Sequence, residues 1–240
     1  MSGHSKWSVI KRAKGITDSR RSQVFTKLGH AVTVAARLGG PDPAMNFRLR
    51  LAIEKAKAAS LPKDNIDRAI AKGAGTDGKQ IEELTYEGFG PGGVALVIQT
   101  ITDNHNRTVT ELRTLLTKRG GNLGSEGSVA WQFNSKGVIR ITADQLIGKD
   151  KDTLELAAIE AGADDVQDDV EGLTITCVPT DLHKLQAFIE SQGLKPASAD
   201  VELVPNTPLS LTPADDEKLQ RVIEALEEHD DVTAVWTNAA

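Results

Sequence analysis

Cysteine is almost absent. The single Cys177 in 240 residues excludes a disulfide framework and any cysteine-ligated zinc or iron–sulfur centre. It also points to a reducing compartment; set among apolar neighbours, Cys177 reads as a small buried hydrophobe. Aromatic residues are scarce at 4%, with one Tyr, three Trp and five Phe, so an aromatic placed beside cations, as Trp7 is, stands out. No apolar run approaches the roughly 18 residues of a membrane span; the longest, residues 94–98, has the length of a strand. Acidic residues are missing from positions 1–17, where Lys6, Lys11, Arg12 and Lys14 stand unopposed. That stretch lacks the apolar segment of a secretory leader.

What is present describes an ordinary globular protein: 39% hydrophobic, 26% charged, 21 Gly and 9 Pro. The length calls for two or three compact units. The net charge of −6 hides a split. Residues 1–80 hold 16 Lys plus Arg against 6 Asp plus Glu, a net +10, and residues 81–240 hold 12 against 28, a net −16. Such asymmetry predicts a cationic binding module joined to an acidic body.

In the basic part, Val24, Leu28, Ala31, Ala35 and Leu38 recur three or four residues apart, giving one apolar stripe on a helix that Gly39-Gly40-Pro41 ends. Asp42 followed by Pro43 reads as a cap with proline at the first helical position, opening a second helix through about Ala59 in which Phe47 and Leu51 share a face. Ser60 and Pro62 repeat that logic for a short third helix holding Ile66, Ala69 and Ile70 and ended by Gly73. Three helices with short connections predict a small bundle. On the second, Arg48 with Lys55 and Arg50 with Lys57 form two rows of cations seven residues apart. With Lys6, Lys11, Arg12, Lys14, Arg20, Arg21 and Lys27, these rows suit the phosphates of a nucleic acid. Trp7 is the aromatic suited to stacking on a base.

From Gln80 the texture changes. Two β-rich runs flank the turn Gly88-Phe89-Gly90-Pro91-Gly92-Gly93; Asn106 reads as the cap of a helix with Val109, Leu112 and Leu116 inside; Val129, Trp131 and Phe133 alternate as a strand does. Residues 137–204 then read strand, helix, hairpin, helix, strand, the βαββαβ order of a ferredoxin-like domain. A capped helix from Thr212-Pro213 and a last strand over 232–236 need a sheet to join, so the C-terminus is expected to return to the middle of the chain. The expected fold class is therefore α+β: a helical domain at 1–80, a discontinuous α/β domain at 81–133 plus 206–240, and a ferredoxin-like domain at 134–205 inserted into it.

Several motifs are weighed and set aside. Gly73 to Gln80 approaches a phosphate-binding loop, but a helix precedes it and Gln80 stands where a hydroxyl is needed. Gly88, Gly90 and Gly93 match a dinucleotide pattern whose following helix is missing, so a hairpin loop fits better. Its sharper reading is backbone that a partner approaches closely. His4, His30, His105, His183 and His229 show no ligand spacing, and the acids at 164–171 lack calcium-loop order. No nucleophile with a neighbouring base is visible. No catalytic residue, metal site, cofactor, small-molecule substrate or membrane contact is expected.

Four ordered stretches resemble one family: Met1-Ser2-Gly3-His4-Ser5-Lys6-Trp7, Tyr86-Glu87-Gly88-Phe89-Gly90-Pro91-Gly92-Gly93, Asp103-Asn104-His105-Asn106-Arg107-Thr108 and Gly127-Ser128-Val129-Ala130-Trp131. The chain resembles the YebC/PmpR family of probable transcriptional regulators, whose mitochondrial relative is the translational activator of cytochrome c oxidase. The resemblance implies a helical domain followed by two α/β domains, the third inserted into the second, and a cytoplasmic protein whose basic start is mature rather than a transit peptide. It also marks His4, Tyr86, Gly88, Gly90, Gly92, Gly93, Asn104, Asn106 and Arg107 as candidate partner-facing positions. The expected function is a non-enzymatic, nucleic-acid-binding regulator of gene expression acting on promoter DNA. The alternative is a ribosome-associated factor that binds ribosomal RNA and assists synthesis of proline-rich stretches, and a remote third is a metal-dependent hydrolase using an acidic interdomain cleft.

Overall fold

The structure, a computed structural model, describes residues 18–75 and 81–240, with side chains from Val24 onward. Along the chain come α1 (Asp18–Gly39), α2 (Phe47–Ala58) and α3 (Lys63–Ala74), then β1 (Glu82–Phe89), β2 (Ala95–Thr102), α4 (His105–Lys118) and β3 (Asn122–Leu123). Next are β4 (Phe133–Thr142), α5 (Lys151–Ala161), β5 (Asp165–Asp169), β6 (Gly172–Cys177), α6 (Leu182–Ser191) and β7 (Ser198–Pro205), and finally α7 (Pro213–Glu227) and β8 (Val232–Thr237). Two compact units result among the described residues: Trp131–Pro208 is one, and the chain on either side of it, from Asp18 to Ala130 and from Leu209 to Ala239, forms the other. The α+β class and the inserted arrangement are as the sequence predicts. No described helix is long and apolar enough to cross a membrane.

In the larger unit the three helices enclose Val32, Ala35, Ala36, Leu49, Ala56, Leu61, Ile66 and Ala69. Gly73 does not end α3. A Cβ there would meet the Thr33 carbonyl at 2.3 Å, so α1 and α3 cross backbone to backbone, and the Thr33 hydroxyl donates to the Ala69 carbonyl at 3.1 Å. The expected Asp42 cap is displaced. Asp42 accepts the Ala44 amide within a turn, and α2 starts four residues later than expected because Asn46 is the better cap. Its Oδ1 accepts from the Leu49 amide at 3.0 Å while its Nδ2 donates to the carbonyls of Ala35 and Gly40 at 2.7 and 2.8 Å. Ser60 closes α2 rather than opening α3. Its φ of 63° is left-handed, and the Ser60 and Leu61 amides donate back to Lys57 and Ala56, a Schellman ending with serine where glycine is usual. Leu38, assigned to the apolar stripe, is 64% exposed, beyond the reach of the packed faces.

The sheet of this unit runs β3-β1-β2-β8, all antiparallel, so the C-terminal strand does pair with β2. Helices α4 and α7 cover one face over Leu96, Ile98, Leu112, Leu116, Leu219 and Val222. A smaller cluster of Val34, Ile81 and Ile101, with Ala31 against it, seats α1 beside the sheet.

In the inserted unit β4-α5-β5-β6-α6-β7 gives the sheet order β5-β6-β4-β7, as the βαββαβ reading requires. Ile139, Ile141, Leu173, Ile175, Leu182, Leu185 and Ile189 fill its core. Cys177 is buried there, its thiol pushed up to about 11 chiefly by burial. The alternation at 129–133 is misleading: Ala130–Gln132 forms a 3-10 turn and Trp131 is 72% exposed, so only Phe133 belongs to a strand.

Candidate nucleic-acid interface

The described helical segment, residues 18–75, retains 11 Lys plus Arg against 5 Asp plus Glu, a net +6. Its two predicted rows fare differently. Arg48, half exposed, is ion-paired to Glu83 on β1, a carboxylate that also accepts from the Gln99 amide. That row is turned towards the sheet, with Lys55 exposed beyond it. Among the described residues Arg50 meets no carboxylate. Its guanidinium donates to the carbonyls of Pro43 at 3.1 Å and Ala44 at 3.0 Å, which fixes its position while leaving its positive charge uncompensated. Lys57, one turn pair further on, is exposed.

Lys27 points elsewhere. It is partly buried and donates to the carbonyl of Glu227, the last residue of α7, where the helix dipole favours a cation. Burial lowers its pKa against the opposing pull of Asp230, Glu227, Asp231 and Glu228. Lys27 thus fastens α1 to α7. Arg20 and Arg21 lie in the first turns of α1, and their side chains are outside the described set. His4, Lys6, Trp7, Lys11, Arg12 and Lys14 lie outside the described residues. Sequence reasoning passed over Lys63 and Lys72, both exposed on α3. Lys63 sits in the first turn, where it opposes the helix dipole, and that misfit was the available signal.

The motif loops of the α/β part are used inwardly. Tyr86 is buried, shares a 3.0 Å hydrogen bond with His105 Nδ1 and stacks against that ring at 5.9 Å. A Cβ on Gly88 would meet the Asn122 carbonyl at 2.6 Å and one on Gly90 would press Leu219; Gly92 and Gly93 have φ of 73° and 77°, and of the four only Gly93 faces open space. Asn104, not Asn106, caps α4, accepting from the Arg107 amide at 3.1 Å. Its extended backbone permits the cap geometry, whereas Asn106 is already helical and exposed. Arg107 grips both carboxylate oxygens of Asp231 at 2.9 and 2.8 Å. Thr108 adds a 2.6 Å bond to the same carboxylate. Burial pushes Asp231 up, and these bonds outweigh it, leaving the carboxyl below its ordinary value.

Two features had no signal in the sequence. The buried carboxylate of Glu87 accepts from the amides of Gly127, Val129 and Ala130 at 2.6, 2.6 and 2.7 Å, pinning the second half of that motif loop to β1. Burial raises Glu87, and the three amides together bring it below the ordinary carboxylate range. Glu111, His229 and Asp231 bring ligand-type atoms within 4.8 Å of one another. Their lone pairs are committed, however: Asp231 to Arg107 and Thr108, His229 Nδ1 to the Asp231 amide, and its Nε2 to Glu111. The cluster works as a brace.

Residues 5–76 match the TACO1/YebC protein N-terminal domain, and residues 81–239 match the TACO1/YebC second and third domain. The chain belongs to the TACO1/YebC family. Its relatives include a probable transcriptional regulatory protein of Desulforamulus reducens, 49% identical over 99% of this chain and 98% of that protein. Another, from Moorella thermoacetica, is 50% identical over 100% of this chain and 95% of its own length. A conserved hypothetical protein of Aquifex aeolicus has a crystal structure that matches with a TM-score of 0.84 at 41% identity, covering 93% of this chain and 91% of that one. The name that both of these relatives carry, probable transcriptional regulatory protein, describes a regulator and not an enzyme, in line with the non-enzymatic reading.

Proposed function

We propose that this chain is a non-enzymatic, cytoplasmic, nucleic-acid-binding regulator of gene expression whose helical part contacts the phosphate backbone. The observation that carries the reading is the Arg50–Lys57 row: two cations on α2 away from the Arg48–Glu83 pair, with no carboxylate paired to them among the described residues, in a segment of net +6. The relatives' names as transcriptional regulators support a promoter-DNA target. The same reading takes three domains, 1–80, 81–133 with 206–240, and 134–205, with the first as the binding module. Ribosomal RNA is the second target to weigh. What favours it is the −16 carried by residues 81–240, which repels a long duplex laid across the chain and suits a folded RNA that meets the helical part locally.

Arg50→Ala/Lys57→Ala in the full chain is expected to weaken binding to duplex DNA and structured RNA alike and to reduce the salt slope by about one per lost phosphate contact. Unchanged affinity and slope would remove α2 from the interface. Crosslinking in cells followed by sequencing of the attached nucleic acid separates promoter DNA from ribosomal RNA.

A further inference from the structure

Helix α4 buries Leu112 and Leu116 against the sheet and turns its other face outward. On that outer face Asn106, Thr110, Arg113, Thr114 and Thr117 follow one another at spacings of four, three, one and three residues, which places them on one stripe, and all five are exposed. Lys118 and Arg119, also exposed, close the helix. The charge is unusual for its surroundings. Within the acidic stretch 81–240, α4 together with Arg119 holds four cations against one acid, whereas α5 holds one against three, α6 one against one and α7 two against five. The two acids at this helix, Asp103 and Glu111, lie against Arg107 and His229. Arg113, Lys118 and Arg119 pair with no carboxylate among the described residues.

The stripe does not serve the helix. Exposed helical positions favour Ala, Glu, Lys or Arg, whereas threonine loses side-chain freedom there and asparagine competes for the backbone. Four of the five stripe positions hold such residues, a local inconsistency of the kind that functional surfaces carry. Their hydrogen bonding narrows the ligand. The hydroxyls of Thr110 and Thr114 donate to the carbonyls of Asn106 and Thr110, each at 2.8 Å, so towards solvent each oxygen is an acceptor. Phosphates and carboxylates only accept, and an acidic protein surface would therefore leave these oxygens unanswered. A ribose 2′-hydroxyl donates, and the wide, shallow minor groove of an A-form RNA helix displays such hydroxyls beside its phosphates. We propose that α4 is a second nucleic-acid surface of this chain and lies against the minor groove of an A-form RNA helix. Thr110 and Thr114 accept from 2′-hydroxyls while Arg113, Lys118 and Arg119 meet the flanking phosphates. This rests on the nucleic-acid reading above, takes RNA as the ligand of this surface, and places a contact in the part of the chain whose net charge alone would repel one.

The test uses the full chain with an RNA hairpin, the same hairpin as DNA, and the RNA hairpin with 2′-O-methyl riboses in its stem, each titrated at several salt concentrations. Wild type is expected to prefer the RNA over both of the others. Thr110→Ala/Thr114→Ala puts a better helix former at each position, so its thermal midpoint should hold or rise. It is expected to weaken RNA binding roughly tenfold, as two lost hydrogen bonds allow, with DNA binding and the salt slope unchanged. Arg113→Gln/Lys118→Gln/Arg119→Gln is expected to weaken RNA binding and to lower the slope by about one for each lost phosphate contact. A threonine variant that keeps the full RNA preference, or a cation variant that keeps affinity and slope, would overturn the proposal. Equal losses on RNA and DNA in the threonine variant would overturn the ribose contact and assign the face to a groove shared by both. If the α4 variants bind normally while Arg50→Ala/Lys57→Ala does not, the α4 surface fails and the reading of the helical part stands. Wild type that binds none of the three hairpins would overturn both.

Discussion

Two asparagine-capped helix starts face opposite ways. At Asn104 the following residues serve the interior: Arg107 reaches Asp231, Thr108 joins it, and His105 leans on Tyr86. At Asn46 the same device, a side-chain oxygen taking the amide three residues on, supports a turn whose Met45 is exposed and whose Arg50 pairs with no acid among the described residues. The first lies in a conspicuous motif and the second in unremarkable sequence. The contrast teaches that a distinctive polar motif marks a demanding local geometry, and an inward lock makes that demand as strictly as a binding surface does.

Breaking the lock tests this most strongly. Asp231→Ala is expected to cost about 3 kcal/mol, because it removes the buried acceptor of the charge-assisted Arg107 pair and of the Thr108 hydroxyl, although the half-exposed Arg107 keeps Asp103 and Glu111 in reach; urea unfolding followed by a probe on α4 measures it. A loss no larger than that of a surface substitution would refute the inward reading. The caps come next. Asn104→Ala is expected to cost about 1 kcal/mol as a simple cap loss, and Asn46→Ala about 2, because it also frees the buried carbonyl of Ala35 and the half-buried one of Gly40. Equal thermal shifts would mean that the α1–α2 turn is less constrained than its bonds imply. Glu83→Gln should barely alter stability yet raise nucleic-acid affinity a few-fold at low salt, since it frees Arg48, one half-exposed pair being worth up to about 1 kcal/mol; a filter-binding titration decides.

The pH response is the smallest effect. His30 on α1 is held below its ordinary value by burial first and then by Lys72, against the pull of Asp231, Asp103 and Asp230. A base whose folded value is lowered binds more protons when unfolded, so stability declines as pH falls below about 6.5. Asp231 and Glu87, lowered carboxylates, give up their contribution only as pH falls further through their folded values. Thermal midpoints from neutral to acidic pH should therefore fall in two stages, and His30→Gln should remove the first.

Much of the fold was legible because periodicity and turn residues report local physics directly. The βαββαβ order and the return of the last strand followed from element type and from the need of a lone helix and strand for a sheet. Local rivals defeated the finer readings. Asp42 and Asn46 are both good caps, and only the three-way reach of Asn46 to Ala35, Gly40 and Leu49 decides between them. Ser60 resembles a cap until its left-handed backbone is known. The candidate site was legible as a basic region but not as a selection of cations: Lys27 and Arg48 match the other predicted contacts in sequence, and it is Glu227 and Glu83, within their reach, that turn them to structural use. Such pairings span up to 200 positions along the chain, and no local pattern encodes them.

The route of the chain has a consequence for its birth. Strand β2, made early, waits for β8, which follows the whole insert, and the lock on Arg107 needs Asp231, 124 positions further along the chain. Among the described residues the strands between Trp131 and Pro208 pair only with one another, so this segment can close while the ribosome is still at work. The unit begun first is therefore finished second, and a chain cut short before residue 231 leaves the ribosome with a folded insert and an open sheet edge, a form that quality control can recognise by its exposed β2.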